Sequence, residues 1–224
     1  PIKNGADLLL ASNVFAHADD LKSMAKSMKN LIKPDGKIVI EVQYLLNTIK
    51  DLTFDNIYHE HTNYWSLTSL NNFFKNLELT IFKVEKINTH GGSIRVYVSQ
   101  DKNISIDNSV KNSLQEEENF GLKKIATYFE FGKKVENLKK EVIKNLKELK
   151  KQHSTIVGYG APAKATTALN FFNINNKEID FIVEDNNLKQ GKFIPGVNIP
   201  IVAKDKIKDK KSLILVLAWN FFEE

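Results

Sequence analysis

Leu31-Ile32-Lys33-Pro34-Asp35-Gly36-Lys37-Ile38-Val39-Ile40-Glu41-Val42 is the stretch that decides the fold. Pro-Asp-Gly ends a helix and turns the chain, and the β-branched run from Lys37 to Val42 reads as a strand. Upstream, a helix is predicted from about Asp20, with Leu21, Met24, Met28 and Leu31 on one face. Before it, Ala6-Asp7-Leu8-Leu9-Leu10-Ala11-Ser12-Asn13 is a short apolar run ending in small polar residues, the pattern of a buried parallel strand. Strand, helix and strand make a β-α-β unit with no glycine loop before its helix. Two parallel strands are not stable alone, so the chain is expected to start inside a larger α/β domain.

The totals agree with a globular protein. The 224 residues are 42% hydrophobic and 26% charged, enough for one or two cores. No apolar run reaches the roughly 18 residues a spanning helix needs, and no basic-then-apolar leader opens the chain, so the expectation is a cytoplasmic protein with no membrane partner. Cysteine is absent, which excludes disulfides and Cys-ligated zinc within this sequence. The net charge of +5 comes with eight lysines between Lys133 and Lys151, alternating with Glu136, Glu141 and Glu148 as on a solvated helix face. With no basic patch interleaved with aromatics elsewhere, no nucleic-acid partner is expected.

Beyond Val42 the pattern becomes mixed α+β. Ser66 is placed to cap a short helix carrying Leu67, Leu70, Phe73, Phe74 and Leu77, and residues 81–85 and 92–98 read as strands. In the second, Ile94, Val96 and Val98 share one face, while Ser93, Arg95 and Tyr97 share the other, a polar face that lines a pocket or meets solvent. Residues 108–151 form one or two long helices with a break near Gly121 or Phe131-Gly132. Their stripe of Val135, Leu138, Val142, Leu146 and Leu149 packs on the body or on a partner subunit. A second α/β unit opens with Thr155-Ile156-Val157-Gly158-Tyr159-Gly160-Ala161-Pro162-Ala163-Lys164, a strand entering a helix through a glycine turn. The next strand, residues 179–185, ends in acids where a Rossmann fold holds a ribose. Residues 213–218 read as another buried strand.

Chemistry concentrates in Tyr58-His59-Glu60-His61, in a chain with only five histidines. Imidazole titrates near neutral pH, and a phenol and a carboxylate beside it suit a general acid or base. Two other readings stand at this point: a hydrogen-bonded loop, and a metal site on His59-x-His61 with Glu60, for which no third ligand sits at familiar spacing unless folding brings His17 or His90. Asn13 and His17, just past the first strand, lie at the edge where open α/β sheets bind ligands.

Leu31 to Ile40 resembles the late strand-turn-strand of class I S-adenosylmethionine methyltransferases, whose glycine-rich cofactor loop would lie before Pro1. Four blocks, Asn56 to Tyr64, Gly91 to Tyr97, Gly158 to Lys164 and Gly191 to Gly196, resemble in order those of the S-adenosylmethionine-dependent deoxysugar C-methyltransferases. That family joins a Cys-rich zinc module, a methyltransferase domain and a C-terminal Rossmann-like domain. The resemblance implies an α/β chain made of four parts: the C-terminal part of a class I methyltransferase (Rossmann-like) domain (1–43), an active-site α+β segment (44–107), a helical connector (108–152) and a second Rossmann-like domain (153–224). Zinc would belong only to a module outside this sequence, with no metal site here.

The implied reaction moves a methyl group from S-adenosylmethionine to a ring carbon next to the ketone of a nucleotide-linked 4-keto-6-deoxy sugar. His61 matches the family's base, Tyr58 and Glu60 the residues that orient sugar and base, and His17 a further active-site histidine. Asn13 falls to the cofactor, and Ser93, Arg95, Gly158, Tyr159, Gly160 and Lys164 to the substrate. The expectation is that this sequence by itself is not catalytically competent. Gly158-x-Gly160 on its own suggests instead an NAD-dependent sugar-nucleotide oxidoreductase, and a non-catalytic nucleotide-sugar-binding protein is a third reading.

Overall fold

A computed structural model describes residues 5–208 and 211–219. The chain divides into two compact units, Pro1–Thr53 with His59–Phe129, and Phe54–Tyr58 with Glu130–Glu224.

In the first unit, β1 (Ala6–Ser12) lies parallel to β2 (Ile32–Gln43), joined through α1 (Leu21–Leu31). The helix begins where the Asp20 carboxylate accepts the Ser23 amide at 2.9 Å, an N-cap that satisfies one orphan donor. Its buried residues are Ala25 and Met28, whereas Leu31, expected on the buried stripe, is exposed where the helix ends. β2 pairs antiparallel with β4 (Ser93–Ser99), and β4 with β3 (Thr80–Ile87), giving the order β1-β2-β4-β3.

Two expectations change here. Pro34-Asp35-Gly36 does not separate two elements. The pairing jumps from Ala6↔Ile32 to Leu8↔Lys37, so these residues bulge out of a single long strand, as a proline that cannot donate to the ladder requires. Nor is β1 buried: Leu8 is 54% and Leu10 68% exposed, because β1 is the sheet's edge strand and the unit covers only one of its faces.

The core forms on the other side of the sheet, where Ile38, Ile40, Ile94, Val96 and Val98 are fully buried. Against it packs α3 (Leu67–Lys75), started by a capping box in which Ser66 and Ser69 exchange side-chain to backbone bonds. A short α2 (Leu45–Lys50) precedes it. From α4 (Asn108–Phe120), the buried carboxylate of Glu117 accepts the amides of Leu67 and Thr68 and the Thr68 hydroxyl, fixing α4 to the first turn of α3. Glu117→Ala strands these three donors and is expected to lower stability by about 2 kcal/mol in urea unfolding.

α4 stops at Gly121, which adopts φ 85° and returns its N–H to the carbonyls of Glu117 and Glu118. α5 (Ile125–Gln152) then runs unbroken through Gly132, so of the two expected breaks only the first occurs. Val135 and Leu146 are buried on its stripe, and Leu138, Val142 and Leu149 pack on the core of the second unit. From Glu130 onward the helix belongs to the second compact unit.

The second unit is a parallel sheet of β5 (Ile156–Tyr159), β6 (Phe181–Val183), β7 (Ile201–Val202) and β8 (Leu213–Val216), in the order β7-β6-β5-β8. α6 (Ala163–Phe172) follows β5. Succession runs outward on one side of β5 and resumes with β8 on the other, so the topological switch, where such sheets take ligands, lies at the carboxyl ends of β5 and β8. β8 is only half-buried, against expectation, because it is an edge strand.

Candidate active site

The site in the first unit is built on two apolar anchors. After β1 the chain makes a tight turn containing Phe15, Ala16 and His17, and the fully buried Phe15 ring packs against Trp65, Phe73 and Phe74 at 5.6 to 5.8 Å between centroids. Trp65 ends the Tyr58 to Tyr64 stretch and is itself buried. One aromatic cluster thus fixes both loops.

Polar contacts then align them. Thr62 donates to the Ala16 carbonyl at 3.1 Å, Asn63 to the Ala18 carbonyl at 3.4 Å, and His17 Nδ1 lies 2.8 Å from the Glu60 carbonyl oxygen. A carbonyl can only accept, so Nδ1 of His17 carries a proton, and in the neutral ring Nε2 holds the free lone pair. The outcome is a histidine pair, His17 and His61, with centroids 4.9 Å apart and ring planes at 63°. Tyr64 stands edge-on to His61 at 6.5 Å.

The backbone bends at Tyr58 and turns at His59 and Glu60, so this stretch is neither strand nor helix. Glu60 meets His17 through its main chain, while its exposed carboxylate lies at the 4.0 Å limit of ion pairing with His59, which is 85% exposed. Asn13 adopts φ 53°, a conformation asparagine tolerates, and its N–H extends the ladder to the Glu41 carbonyl at 2.9 Å. Among the described residues, no three His, Cys, Asp or Glu side chains converge as a metal site.

Of the polar strand face, Ser93 is buried and donates to the Thr89 carbonyl at 3.1 Å, so its hydroxyl faces the protein rather than a pocket. Arg95 is bound through Nε and Nη2 to Glu41 at 3.2 and 2.8 Å. Arg95 and Tyr97 line a groove of about 540 Å³ on the sheet's open face with Leu8, Leu10 and Val39.

In the second unit, the glycines of the turn have structural causes. A Cβ at Gly158 would come within 2.7 Å of Ile182 and 2.8 Å of Leu217, and one at Gly160, where φ is 85°, would come within 2.6 Å of the Ala218 methyl. The amide that a dinucleotide phosphate would use is already occupied: Ala161 N–H donates to Glu184 Oε2 at 2.9 Å, with Lys189 bridging the Ala161 carbonyl at 2.8 Å. Burial works against the charge on Glu184, but the amides of Asn186 and Ala161 and the Lys189 ammonium outweigh it and hold the carboxyl below its usual range. Tyr159 donates to Asp185 at 2.9 Å across the mouth of a 260 Å³ pocket at these strand ends. A phosphate placed in this turn would meet the Glu184 charge. Titration with NADH is accordingly expected to show no saturable binding by fluorescence.

Lys164 is not solvent-facing; it is 7% exposed, beneath Trp219. Reading the sequence missed Thr62 and Asn63 as fasteners, although both lie inside the stretch it singled out. It also missed Asp55 and Trp219, for which no local signal exists.

A half-sheet ending in an antiparallel pair, followed by a parallel Rossmann-like sheet, defines a protein of class I methyltransferase architecture with a second α/β unit. Residues 88–224 match the C-methyltransferase C-terminal domain family, and residues 3–84 match the Methyltransferase domain family. The chain belongs to the C-methyltransferase family. It is 33% identical over 221 residues to the C-methyltransferase NovU of Streptomyces niveus, covering 98% of this chain and 53% of that protein. It thus spans about half the length of this relative. Among solved structures, the mitomycin 7-O-methyltransferase MmcR aligns with TM-score 0.38 and 16% identity over 44% of this chain and 31% of that one. An O-methyltransferase from neocarzinostatin biosynthesis aligns with TM-score 0.36 and 17% identity over 44% and 30%. No helix among the described residues is long and apolar enough to cross a membrane.

Proposed function

We infer that this chain provides the base and part of the substrate site of an S-adenosylmethionine-dependent C-methyltransferase acting on a carbon next to the ketone of a nucleotide-linked 4-keto-6-deoxy sugar. The observation that carries the reading is the His17 and His61 pair, assembled at the carboxyl edge of β1 by the Glu60 carbonyl. The relationship to a protein named a C-methyltransferase supports methylation at carbon, and the substrate class is the one that the resemblance of the four sequence blocks implies.

A carbon beside a ketone becomes nucleophilic by giving up its proton, and the negative charge moves to the ketone oxygen. In this reading His61 takes that proton on a ring nitrogen. His17, its orientation set by the bond from Nδ1 to Glu60, holds the His61 ring in place and can pass the proton outward. The Tyr58 hydroxyl donates to the oxyanion, and Glu60 shapes the loop through its main chain. S-adenosylmethionine, when bound, supplies the electrophilic methyl group. Asn13 fits a contact to it, since the side-chain amide is half-exposed at the end of β1 with only a 3.5 Å contact to the Ser12 hydroxyl. Arg95 is assigned to the sugar nucleotide, with Ser93 shaping the strand beside it; in the second unit Gly158 and Gly160 shape the β5 turn, where Glu184 already holds the Ala161 amide, and Lys164 lies buried beneath Trp219.

The test is incubation of the intact protein with S-adenosylmethionine and a nucleotide-linked 4-keto-6-deoxy sugar. A product heavier by one methylene, with the new methyl on carbon by NMR, is expected. Unchanged sugar, or a methyl on oxygen, would sink the assignment.

A further inference from the structure

Three distant parts of the chain meet in the second unit without a part in the acid/base assignment. Asp55 lies in the short turn Phe54–Asn56, Lys164 in the first turn of α6, and Trp219 just past β8. The Trp219 indole N–H donates to Asp55 Oδ2 at 2.7 Å, and Lys164 Nζ stands 5.1 Å from the centre of the Trp219 ring. Asp55 and Lys164 are each 7% exposed, and Lys164 Nζ has no hydrogen-bond partner among the described residues. Burial pushes the Asp55 carboxyl up, against the pull of Trp219 and Lys164. It pushes the Lys164 ammonium down, against the pull of Asp55.

Apolar side chains of similar volume would fill this space at no electrostatic cost, so the charges call for a role in fixing geometry. The surroundings show what is fixed. Phe54 packs on Phe171 and Phe172 at 4.9 and 5.3 Å, at the far end of α6. Lys164, Ala168 and Phe171 fall on one face of that helix. Residues 54–58 are thereby held at two points along it, and Asn56 is 2% exposed. From there the chain passes into Tyr58 and His59 to His61 with no regular element between.

We propose that Asp55 is a positioning residue: its bond to Trp219, beside Lys164, sets the path of residues 54–58, the segment that ends in Tyr58. The kinetic consequence rests on the methyl-transfer reading above; the structural consequence does not.

Asp55→Leu removes both the acceptor and the charge, and Trp219→Phe keeps the ring but removes the donor. In the intact protein, either variant is expected to speed amide hydrogen exchange across residues 54–58 about tenfold, the worth of one hydrogen bond, with β5 and β6 amides unchanged. kcat for methyl transfer should fall about tenfold, with KM for S-adenosylmethionine within about twofold of wild type. Wild-type exchange at residues 54–58 in a folded variant would overturn the proposal. So would equal loosening of β5 and β6, or a loosened segment with unchanged kcat. Should one variant not fold, the other decides. If the wild-type protein transfers no methyl group, the functional reading fails and the exchange measurement still decides the role of Asp55.

Discussion

His61→Ala in the intact protein is expected to slow methyl transfer by about 10²–10⁴, the range a positioned general base contributes. The loss should be visible before any methyl moves. In deuterated water, with the keto sugar and no methyl donor, the wild-type protein should wash deuterium into the position beside the ketone, and the variant should not. His17→Ala should cost less, about tenfold, because it removes the group that orients the base rather than the base. That ordering follows from the geometry: His17 spends Nδ1 on the Glu60 carbonyl at 2.8 Å and stands 4.9 Å from His61, which places it to orient the base. Deuterium exchange that survives His61→Ala would remove His61 as the base. A His17 variant as impaired as the His61 variant would exchange their roles.

Much of the fold was legible because periodicity is local. The Ser66 cap and the Ile94-Val96-Val98 face follow from spacing within a single element, and both are present; of the expected α1 face Met28 is buried, Leu21 and Met24 are half-buried and Leu31 is exposed. Misreadings arose where burial depends on neighbours. Leu8 and Leu10 spell a buried strand, yet β1 sits at the sheet edge; Pro34-Asp35-Gly36 spells a turn, yet pairing with β1 carries the strand across it. Gly121 and Gly132 look alike in sequence, and only the backbone at Gly121 takes the left-handed conformation that stops a helix.

The site divides in the same way. Tyr58 to His61 stood out by residue type, but what aligns His17 with His61 is a main-chain carbonyl, which no side-chain motif announces. Glu184 was read as an acid at the ribose position. Its contact with the Ala161 amide makes it a stand-in for the phosphate instead, a distinction set by side-chain direction alone.

Asp55→Ala is expected to be the most damaging change in the second unit, costing about 3 kcal/mol at neutral pH. It strips the Trp219 indole of its acceptor and leaves the Lys164 ammonium, which has no hydrogen-bond partner among the described residues, beside the Trp219 ring without its counter-charge. The pH dependence identifies the cause. Burial holds Lys164 below its ordinary value in the folded chain. Between that lowered value and the unfolded one near 10.5, the unfolded state binds more protons, so stability rises with pH there. Removing Asp55 takes away the charge that opposes this lowering, and the window opens further toward neutrality. Urea unfolding should therefore find the deficit of Asp55→Ala largest near pH 7 and shrinking as pH approaches 10. Adding Lys164→Met should recover much of it, since the buried ammonium is then gone, giving a double-mutant coupling of about 1–3 kcal/mol. A deficit that stays constant with pH, or two substitutions whose costs simply add, would mean that Asp55 and Lys164 do not act on one another.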